Sequence, residues 1–193
     1  MLTFNPKNKR IILGSGSPRR AELLKALGFE FEIIPSRVNE TFSNTIPILE
    51  VAEYLAIQKS TFFHPKLNEV IITADTVVIN DSKVLGKPQT ENEAKEMLQS
   101  LSGNVHQVVS AVCISSYEKQ LSFSEVSNIT FKELTEDEIH YYITNFSPLD
   151  KAGAYGIQEW IGMVGIVKME GSFYNVMGLP CARLMKEISA FLA

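Results

Sequence analysis

The chain has 193 residues, of which 45% are hydrophobic and 21% are charged, and its formal net charge at pH 7 is -4. These values are typical of an ordinary globular protein, and the length suffices for one sizeable domain or for two small lobes around a cleft. The negative net charge disfavours a protein that binds nucleic acid through a broad basic surface. No apolar run has the length of a membrane-spanning helix.

Two features of the sequence bear on localisation, namely the N-terminus and the cysteines. Residues 1–5 lack a charged segment followed by an apolar core, so we expect no signal peptide. Cys113 and Cys181 lie far apart and outside any C-x-x-C motif, and Cys113 falls in an apolar strand pattern that predicts a buried thiol. We therefore expect a cytoplasmic protein without disulfides or membrane contact.

Strand-like runs and helical patterns alternate along the chain, which predicts an α/β protein. Strands are predicted at residues 11–13, 29–34, 70–72, 77–79, 84–85, 105–116, 121–131 and 161–168. Helices are predicted at residues 18–28, from Pro47 onward, from Thr90 to Gly103, from Thr135 to about Phe146, and after Pro180. A capping box is expected at Thr90 with Glu93 and another cap at Thr135 with Glu138.

The segment Gly-Ser-Gly-Ser-Pro-Arg-Arg, residues 14–20, lies between the first strand and the first helix. Ser17 suits the cap of this helix and the following proline suits its first position. Arg19 and Arg20 then fall in the first turn, where the helix dipole favours negative charge by about 0.3–1 kcal/mol per charge. Backbone N–H groups, the hydroxyls of Ser15 and Ser17 and both guanidiniums would converge on a phosphate. A capped helix with two solvated arginines fits the same pattern.

The second helix is the next segment with an unusual residue. Its apolar stripe is predicted to contain Ile48, Val51, Ala52, Leu55 and Phe62. Lys59 lies on that stripe, and such a lysine either extends its ammonium past the edge of the core or points into a site.

Asp75 is a carboxylate between two runs of β-branched apolar residues. A charge in this position is costly unless it meets a cation, a hydrogen-bond donor or a metal. The aspartate is therefore either a structural acceptor of backbone N–H bonds or part of a site. Thr76 adds a hydroxyl beside it.

Two further segments place polar groups at glycine-rich turns. Residues 86–88, Gly-Lys-Pro, put Lys87 at a strand end. Residues 150–158 contain two glycines, an adjacent Asp150–Lys151 pair and Gln158, whose amide offers both a donor and an acceptor. We interpret this segment as a pocket wall with Lys151 and Gln158 as candidate substrate contacts.

Several familiar motifs are absent from the sequence, namely a dinucleotide fingerprint, a P-loop and a nucleophile elbow, and the histidines lack metal-ligand spacing. The polar residues that remain are Glu40, Asp75, Arg19, Arg20, Lys59 and Lys87. Oxygen ligands of this kind suit Mg²⁺ or Mn²⁺ held jointly by carboxylates and substrate phosphates.

The order of these motifs resembles the Maf family, in its branch of dTTP/UTP pyrophosphatases, over nearly the whole chain. The matching segments are residues 15–20, 74–78, 86–88, 101–103 with His106, 150–158 and 176–180. The resemblance implies an α/β fold similar to ITPases, with an extended mixed β-sheet flanked by helices and a deep cleft. It also implies a single domain, residues 1–193, with two lobes around that cleft, and a homodimer.

The activity implied by the resemblance is hydrolysis of a nucleoside triphosphate, dTTP or UTP, to the monophosphate and pyrophosphate. By resemblance, Asp75 is the general base and, with Glu40, a ligand of the divalent metal. Arg19, Thr76 and Gln158 are associated with substrate choice. Lys59 and Lys87 line the phosphate and metal region with Glu40.

The sequence departs from the family pattern in three places: Asn39 replaces a frequent acid, Gly14 replaces a common alanine, and Glu159-Trp160 stands where a glycine is frequent. Trp160 is expected to narrow the base pocket or to stack beside it. Pyrimidines are favoured because the branch associated with 7-methyl-GTP has a different segment in place of residues 150–158.

Other functions remain open on sequence alone. One is a nucleotide-binding regulator of septum formation and cell division with little turnover, and another is a phosphatase that removes the terminal phosphate. A nucleic-acid-binding module is disfavoured by the net charge of -4 and by the lack of an aromatic and basic stripe.

Overall fold

The computed structural model describes residues 9–193, and the N-terminal segment on which the signal-peptide prediction rests lies outside this range. The strands are β1 (Arg10–Leu13), β2 (Phe31–Ile33), β3 (Glu69–Asn80), β4 (Lys83–Leu85), β5 (Val105–Ser116), β6 (Gln120–Phe131) and β7 (Ile166–Glu170). The helices are α1 (Pro18–Ala26), α2 (Val51–Ser60), α3 (Glu91–Leu101), α4 (Glu136–Phe146), α5 (Trp160–Gly165), α6 (Phe173–Met177) and α7 (Cys181–Leu192). Short 3₁₀ helices lie at Ile48–Glu50, Pro148–Asp150 and Ala152–Ala154.

Within residues 9–193 the strands form one seven-stranded sheet in the order β2-β1-β3-β5-β6-β7, with β4 paired to β3. β1 is parallel to both β2 and β3, and Ile12 lies opposite Glu32 on one side and Ile71 on the other. β4 runs antiparallel to β3, and β7 runs antiparallel to β6. The sheet is therefore mixed and flanked by helices, which confirms the predicted fold class.

β3 joins the two predicted apolar runs into one strand, and Asp75 lies in its middle. The strand ends at a tight turn in which Asp81 and Ser82 have positive φ angles of 47° and 61°. Two consecutive positive φ values are typical of the two-residue turns that join antiparallel strands. The predicted turn before β4 is confirmed.

The strand predicted at residues 161–168 is wrong in its first part, since Trp160–Gly165 forms α5. A short apolar run has no periodicity that separates a buried helical turn from a strand. In the helix that forms, only glycine fits at position 162, because a Cβ there would lie only 1.9 Å from the carbonyl oxygen of Ile157. The backbone N–H of Gly162 donates to the Glu159 carbonyl at 3.0 Å, which starts the helical turn.

The second predicted helix needs a smaller correction. A 3₁₀ turn precedes α2, and α2 ends at Ser60, so Phe62 lies beyond the helix and is 41% exposed. Thr61 already closes the helix by donating to the Ile57 carbonyl at 3.3 Å. Phe62 is therefore not part of the buried stripe, whereas Lys59 is buried on it.

The predicted caps differ in completeness. In α4, Thr135 Oγ1 accepts from the Glu138 N–H at 3.2 Å and Glu138 Oε2 accepts from the Thr135 N–H at 2.9 Å, which is the full capping box. In α3, Thr90 Oγ1 accepts from the Glu93 N–H at 3.1 Å, but the Glu93 carboxylate accepts from the Gln89 N–H instead. Only the Thr90 half of the capping box predicted for α3 is therefore formed.

The described residues form two compact units. The first unit comprises the described residues up to Asp75 together with Ser110–Glu125 and Gly178–Ala193, and the second comprises Thr76–Val109 and Val126–Met177. The core of the second unit contains, among others, Leu98, Phe131, Ile139 and Tyr142. Both cysteines are buried and free, as expected for Cys113. No helix in residues 9–193 is both long enough and apolar enough to cross a bilayer.

Candidate active site

The loop between β1 and α1 ends in a capped helix, as predicted. Ser17 Oγ accepts from the Arg20 N–H at 3.5 Å, and the first turn of α1 contains no acidic residue. The Arg20 guanidinium turns back within the first unit, where Nη1 donates to Ser15 Oγ at 3.1 Å and Nε donates to the Gly178 carbonyl at 2.9 Å. Arg20 therefore ties the loop to the segment before α7.

Lys59 is buried in the first unit, with 6% of its surface exposed. Its ammonium forms an ion pair with Asp75 Oδ1 and lies 3.1 Å from Glu40 Oε1. The physical cause is Asp75, which is equally buried on β3 and is stable there only beside a cation. The Lys59 ammonium is therefore held between two carboxylates and does not extend past the edge of the core.

The charges of this region act on one another. Burial lowers the pKa of the Arg20 guanidinium, the charge of Asp75 raises it, the nearby Arg19 lowers it and Glu40 raises it. These groups are thus close enough to interact electrostatically. We call the following set the charged cluster of the first unit: Arg19, Arg20, Glu40, Lys59 and Asp75.

Glu40 and Asp75 each place a carboxylate oxygen within ion-pair distance of the same Lys59 ammonium. Their oxygens are of the kind that Mg²⁺ prefers, but the point between them is occupied by the lysine. Mg²⁺ usually takes one or two carboxylates and completes its shell with substrate phosphates and water. Among residues 9–193 no group of three or more His, Cys, Asp or Glu side chains could hold a metal by itself.

The predicted pocket wall in the second unit consists of two 3₁₀ turns followed by extended backbone at Tyr155. Gly153 has a φ of +68°, and a Cβ there would lie 2.8 Å from Val78 Cγ2, so only glycine fits. Its N–H donates to the Gly86 carbonyl at 3.0 Å, which joins the segment to the turn that carries Lys87.

The candidate side chains of the second unit differ in exposure. Lys87 and Gln158 are exposed, and Thr76 is half-buried immediately after Asp75 on β3. Lys151 is buried, and its ammonium lies 2.7 Å from Asp150 Oδ1 and 3.1 Å from Glu159 Oε1.

The structure thus groups the predicted site residues by unit. Those of the first unit are Ser15, Ser17, Arg19, Arg20, Glu40, Lys59 and Asp75. Those of the second unit are Thr76, Lys87, Lys151 and Gln158.

Sequence reasoning missed two partners of the pocket-wall segment, Tyr142 and Glu159. The Tyr142 hydroxyl donates to Glu159 Oε2 and accepts from the Gly156 N–H at 3.0 Å. Nothing in the sequence distinguishes Tyr142 from an ordinary apolar position of α4. Glu159 could have been recognised, because it stands where the family frequently has glycine. Trp160 packs against Tyr141 with ring centroids 4.8 Å apart, and its place beside a base stays a prediction.

The structure thus combines a mixed sheet flanked by helices with two arginines in the first turn of α1 and a buried lysine between two carboxylates. The chain belongs to the Maf family, since residues 10–191 match the family described as Maf-like protein. The family predicted from the motifs is confirmed.

Curated relatives support the branch as well as the family. A protein of Phocaeicola vulgatus named dTTP/UTP pyrophosphatase is 47% identical over 190 residues, which cover 95% of this chain and 97% of the relative. A protein of the same name from Christiangramia forsetii is 45% identical over 188 residues, covering 96% of each chain. Another from Flavobacterium johnsoniae is 40% identical over 194 residues and covers both chains fully.

Solved structures show the same fold. The Staphylococcus aureus Ham1 protein matches with a TM-score of 0.52 and 20% identity, covering 93% of this chain and all of that one. A HAM1 protein from Coxiella burnetii matches with a TM-score of 0.51 and 16% identity, covering 94% of this chain and 99% of that one. At these identities the likeness supports the fold alone.

Proposed function

We propose that this protein hydrolyses nucleoside triphosphates, with dTTP and UTP preferred, to the monophosphate and pyrophosphate. Family membership and the names of the relatives support the reaction class. The observation that carries the proposal is the burial of Lys59 between Glu40 and Asp75, in the same unit as the arginines of α1. This arrangement offers positive groups for phosphates and a carboxylate for water.

The residues of the charged cluster have distinct roles in this proposal. Phosphate oxygens bind to the N-terminus of α1, to the guanidiniums of Arg19 and Arg20, and to the hydroxyls of Ser15 and Ser17. Lys59, with Lys87, neutralises phosphate charge. Glu40 and Asp75 would hold Mg²⁺ or Mn²⁺, which when bound neutralises charge on the phosphate oxygens.

Asp75 orients the attacking water and accepts its proton as the water oxygen bonds to the α-phosphorus. The bond from that phosphorus to the bridging oxygen breaks, and pyrophosphate leaves with the electron pair. Proton transfer of this kind is typically worth about 10²–10⁴-fold in rate.

Substrate choice rests in this proposal on Arg19, Thr76 and Gln158, with the Gln158 amide facing the edge of the base. Contacts of Lys87 and Lys151 with the substrate, the cleft between two lobes, the homodimer and the cytoplasmic location stay predictions.

The reaction class is tested by the products. Purified protein with dTTP or UTP and Mg²⁺ or Mn²⁺ is expected to release monophosphate and pyrophosphate in equal amounts. Diphosphate with orthophosphate would instead identify a terminal phosphatase. Saturable binding without product would identify a nucleotide-binding regulator.

The role of Asp75 is tested by Asp75→Asn. We expect nucleotide binding to persist while kcat falls by about 10²–10⁴-fold, because the amide cannot accept the proton of water. Asp81→Asn is the matched control, since Asp81 is an exposed carboxylate in the turn after the same strand, where asparagine tolerates the positive φ. Hydrolysis by Asp75→Asn at the rate of this control would remove Asp75 from the role of base.

A further inference from the structure

The segment Leu-Ser-Gly, residues 101–103, and the nearby His106 match the family pattern, but the proposed reaction gives them no role. They lie where the chain passes from α3 into β5. Gly103 has a φ of +69°, which favours glycine, and its N–H donates to the Lys132 carbonyl at 3.0 Å. His106 then lies on β5 with 1% of its surface exposed. This motif therefore places an imidazole in the interior of the second unit.

The partner of this imidazole is the hydroxyl of Tyr155, a residue that is 6% exposed. His106 Nε2 lies 2.7 Å from the Tyr155 hydroxyl, and the two rings meet edge to face with their centroids 5.4 Å apart. Phe131 packs against both rings, with centroid distances of 5.2 Å and 5.0 Å. Burial lowers the pKa of His106 to about 4 and raises the pKa of Tyr155, so both groups are neutral at pH 7. Because both are buried, water does not compete for the hydrogen bond that joins them.

Tyr155 belongs to the pocket-wall segment and follows two residues with an unusual backbone conformation. Gly153 and Ala154 have positive φ angles of 68° and 59°. This conformation costs a residue with a side chain, such as Ala154, about 1–2 kcal/mol. Strained backbone of this kind persists only where the surrounding structure fixes it. The hydrogen bond from the Gly153 N–H to the Gly86 carbonyl fixes one side, and the hydrogen-bonded ring of Tyr155 fixes the other.

The anchored tyrosine lies between the two candidate substrate contacts of the segment. Lys151 precedes Tyr155 by four residues, and the exposed Gln158 follows it by three. The Gly156 N–H, immediately after Tyr155, donates to the Tyr142 hydroxyl at 3.0 Å, so the backbone on that side is held as well. We therefore expect a shift of the Tyr155 ring to move the backbone from which Gln158 extends.

We infer that His106 is a positioning residue that, through its hydrogen bond to Tyr155, holds the pocket-wall segment in the conformation that binds the nucleoside part of the substrate. The inference rests on the proposed function, in which Gln158 faces the edge of the base. His106 is too deeply buried to contact the substrate itself. Its loss should therefore weaken binding of the nucleotide, while the chemistry at the phosphates continues.

The first test uses Tyr155→Phe in the full chain, which keeps the ring packed on His106 and removes the hydroxyl. KM for dTTP is expected to rise by roughly three- to tenfold, the worth of one hydrogen bond. We expect kcat to change less than twofold, because a contact to the base is made equally in the ground and transition states. The matched control is Tyr174→Phe, which removes an exposed hydroxyl from the same unit and should leave both constants unchanged.

The second test changes the histidine. His106→Leu removes the partner of Tyr155 and should raise KM for dTTP as Tyr155→Phe does. His106→Gln should keep KM within about twofold of the wild type, because the amide offers both a donor and an acceptor to the tyrosine hydroxyl. The double variant His106→Leu with Tyr155→Phe should raise KM no further than either single variant, since both remove the same hydrogen bond.

A merely structural role would give a different result. Partial unfolding reduces the amount of active protein, so it lowers kcat and leaves KM unchanged. A fall in kcat alone, or increases in KM that multiply in the double variant, would overturn the inference. Tyr155→Phe compared with Tyr174→Phe decides the question if His106→Leu does not fold.

Failure of the proposed function is distinguishable from failure of this inference. Wild-type protein that releases neither monophosphate nor pyrophosphate from dTTP or UTP overturns the proposed function and this inference with it. Normal hydrolysis by the wild type, with an unchanged KM in both Tyr155→Phe and His106→Leu, overturns the inference alone.

Discussion

At the scale of single residues, the buried ion pair of Lys59 with Asp75 is the most informative feature of the molecule. Each side chain would be costly alone in an apolar environment, and together they are stable because each satisfies the charge of the other. Glu40 adds a second carboxylate 3.1 Å from the same ammonium. The first unit thus holds a buried ion pair, Lys59 with Asp75, beside the exposed carboxylate of Glu40.

Replacing Lys59 by methionine should lower the free energy of unfolding by about 3 kcal/mol, because Asp75 then remains buried without its cation. The measurement is urea unfolding at neutral pH. Lys168→Met is the control, since its ion pair with Glu170 is exposed and worth less than about 1 kcal/mol. Equal losses in the two variants would contradict this account, and the double variant Lys59→Met with Asp75→Asn should recover part of the loss.

At the scale of elements, the pocket-wall segment depends on one backbone conformation. Gly153 combines a positive φ with close packing on Val78, and its N–H is hydrogen-bonded to Gly86. Gly86 itself has open space around the position of a Cβ. The structure therefore has room for a side chain at position 86 but not at position 153.

Gly153→Ala should destabilise the protein by about 2–4 kcal/mol, since the methyl group would be strained by φ and would overlap Val78. Gly86→Ala should change the free energy of unfolding by less than about 1 kcal/mol. Thermal and urea unfolding of both variants measure the difference. If the two substitutions cost the same, the close approach to Val78 does not constrain the segment.

At the scale of the whole molecule, a buried histidine makes stability depend on pH. Desolvation lowers the pKa of His106 from its ordinary 6.5 to about 4. Its Nε2 lies 2.7 Å from the Tyr155 hydroxyl, and its Nδ1 has no hydrogen-bond partner among residues 9–193. The imidazole is therefore stable in the core of the second unit in its neutral form.

Because the folded pKa lies below the unfolded value, the unfolded chain binds this proton first as the pH falls. Above about pH 6.5 the protonation of His106 does not affect the free energy of unfolding. As the pH falls from there to about 4, that free energy decreases progressively, and the total loss is about 3 kcal/mol. Urea unfolding between pH 4 and 7.5 measures this slope. His106→Asn should have a shallower slope over that range, and parallel curves for the two proteins would show that the histidine is not the cause.

Much of the fold could be predicted from local sequence. β5, the helix after Pro180 and the capped start of α4 lie where their patterns indicate, because hydrophobic period and capping residues are local properties. The error at residues 160–165 is equally physical. An apolar run of that length fits a strand or a helix, and its periodicity does not distinguish the two.

The sequence by itself determined the kinds of groups in the candidate site: the arginines in the first turn of α1, the mid-strand Asp75 and the amide of Gln158. Only the tertiary structure decided that the Lys59 ammonium lies between Glu40 and Asp75, and that Tyr142 and Lys151 hold Glu159. Residue types and their local order are properties of the sequence itself. The partner of a buried charge depends on which distant segments pack together, because a charge in a medium of low polarity is stable only when an opposite charge or a hydrogen-bond partner lies beside it.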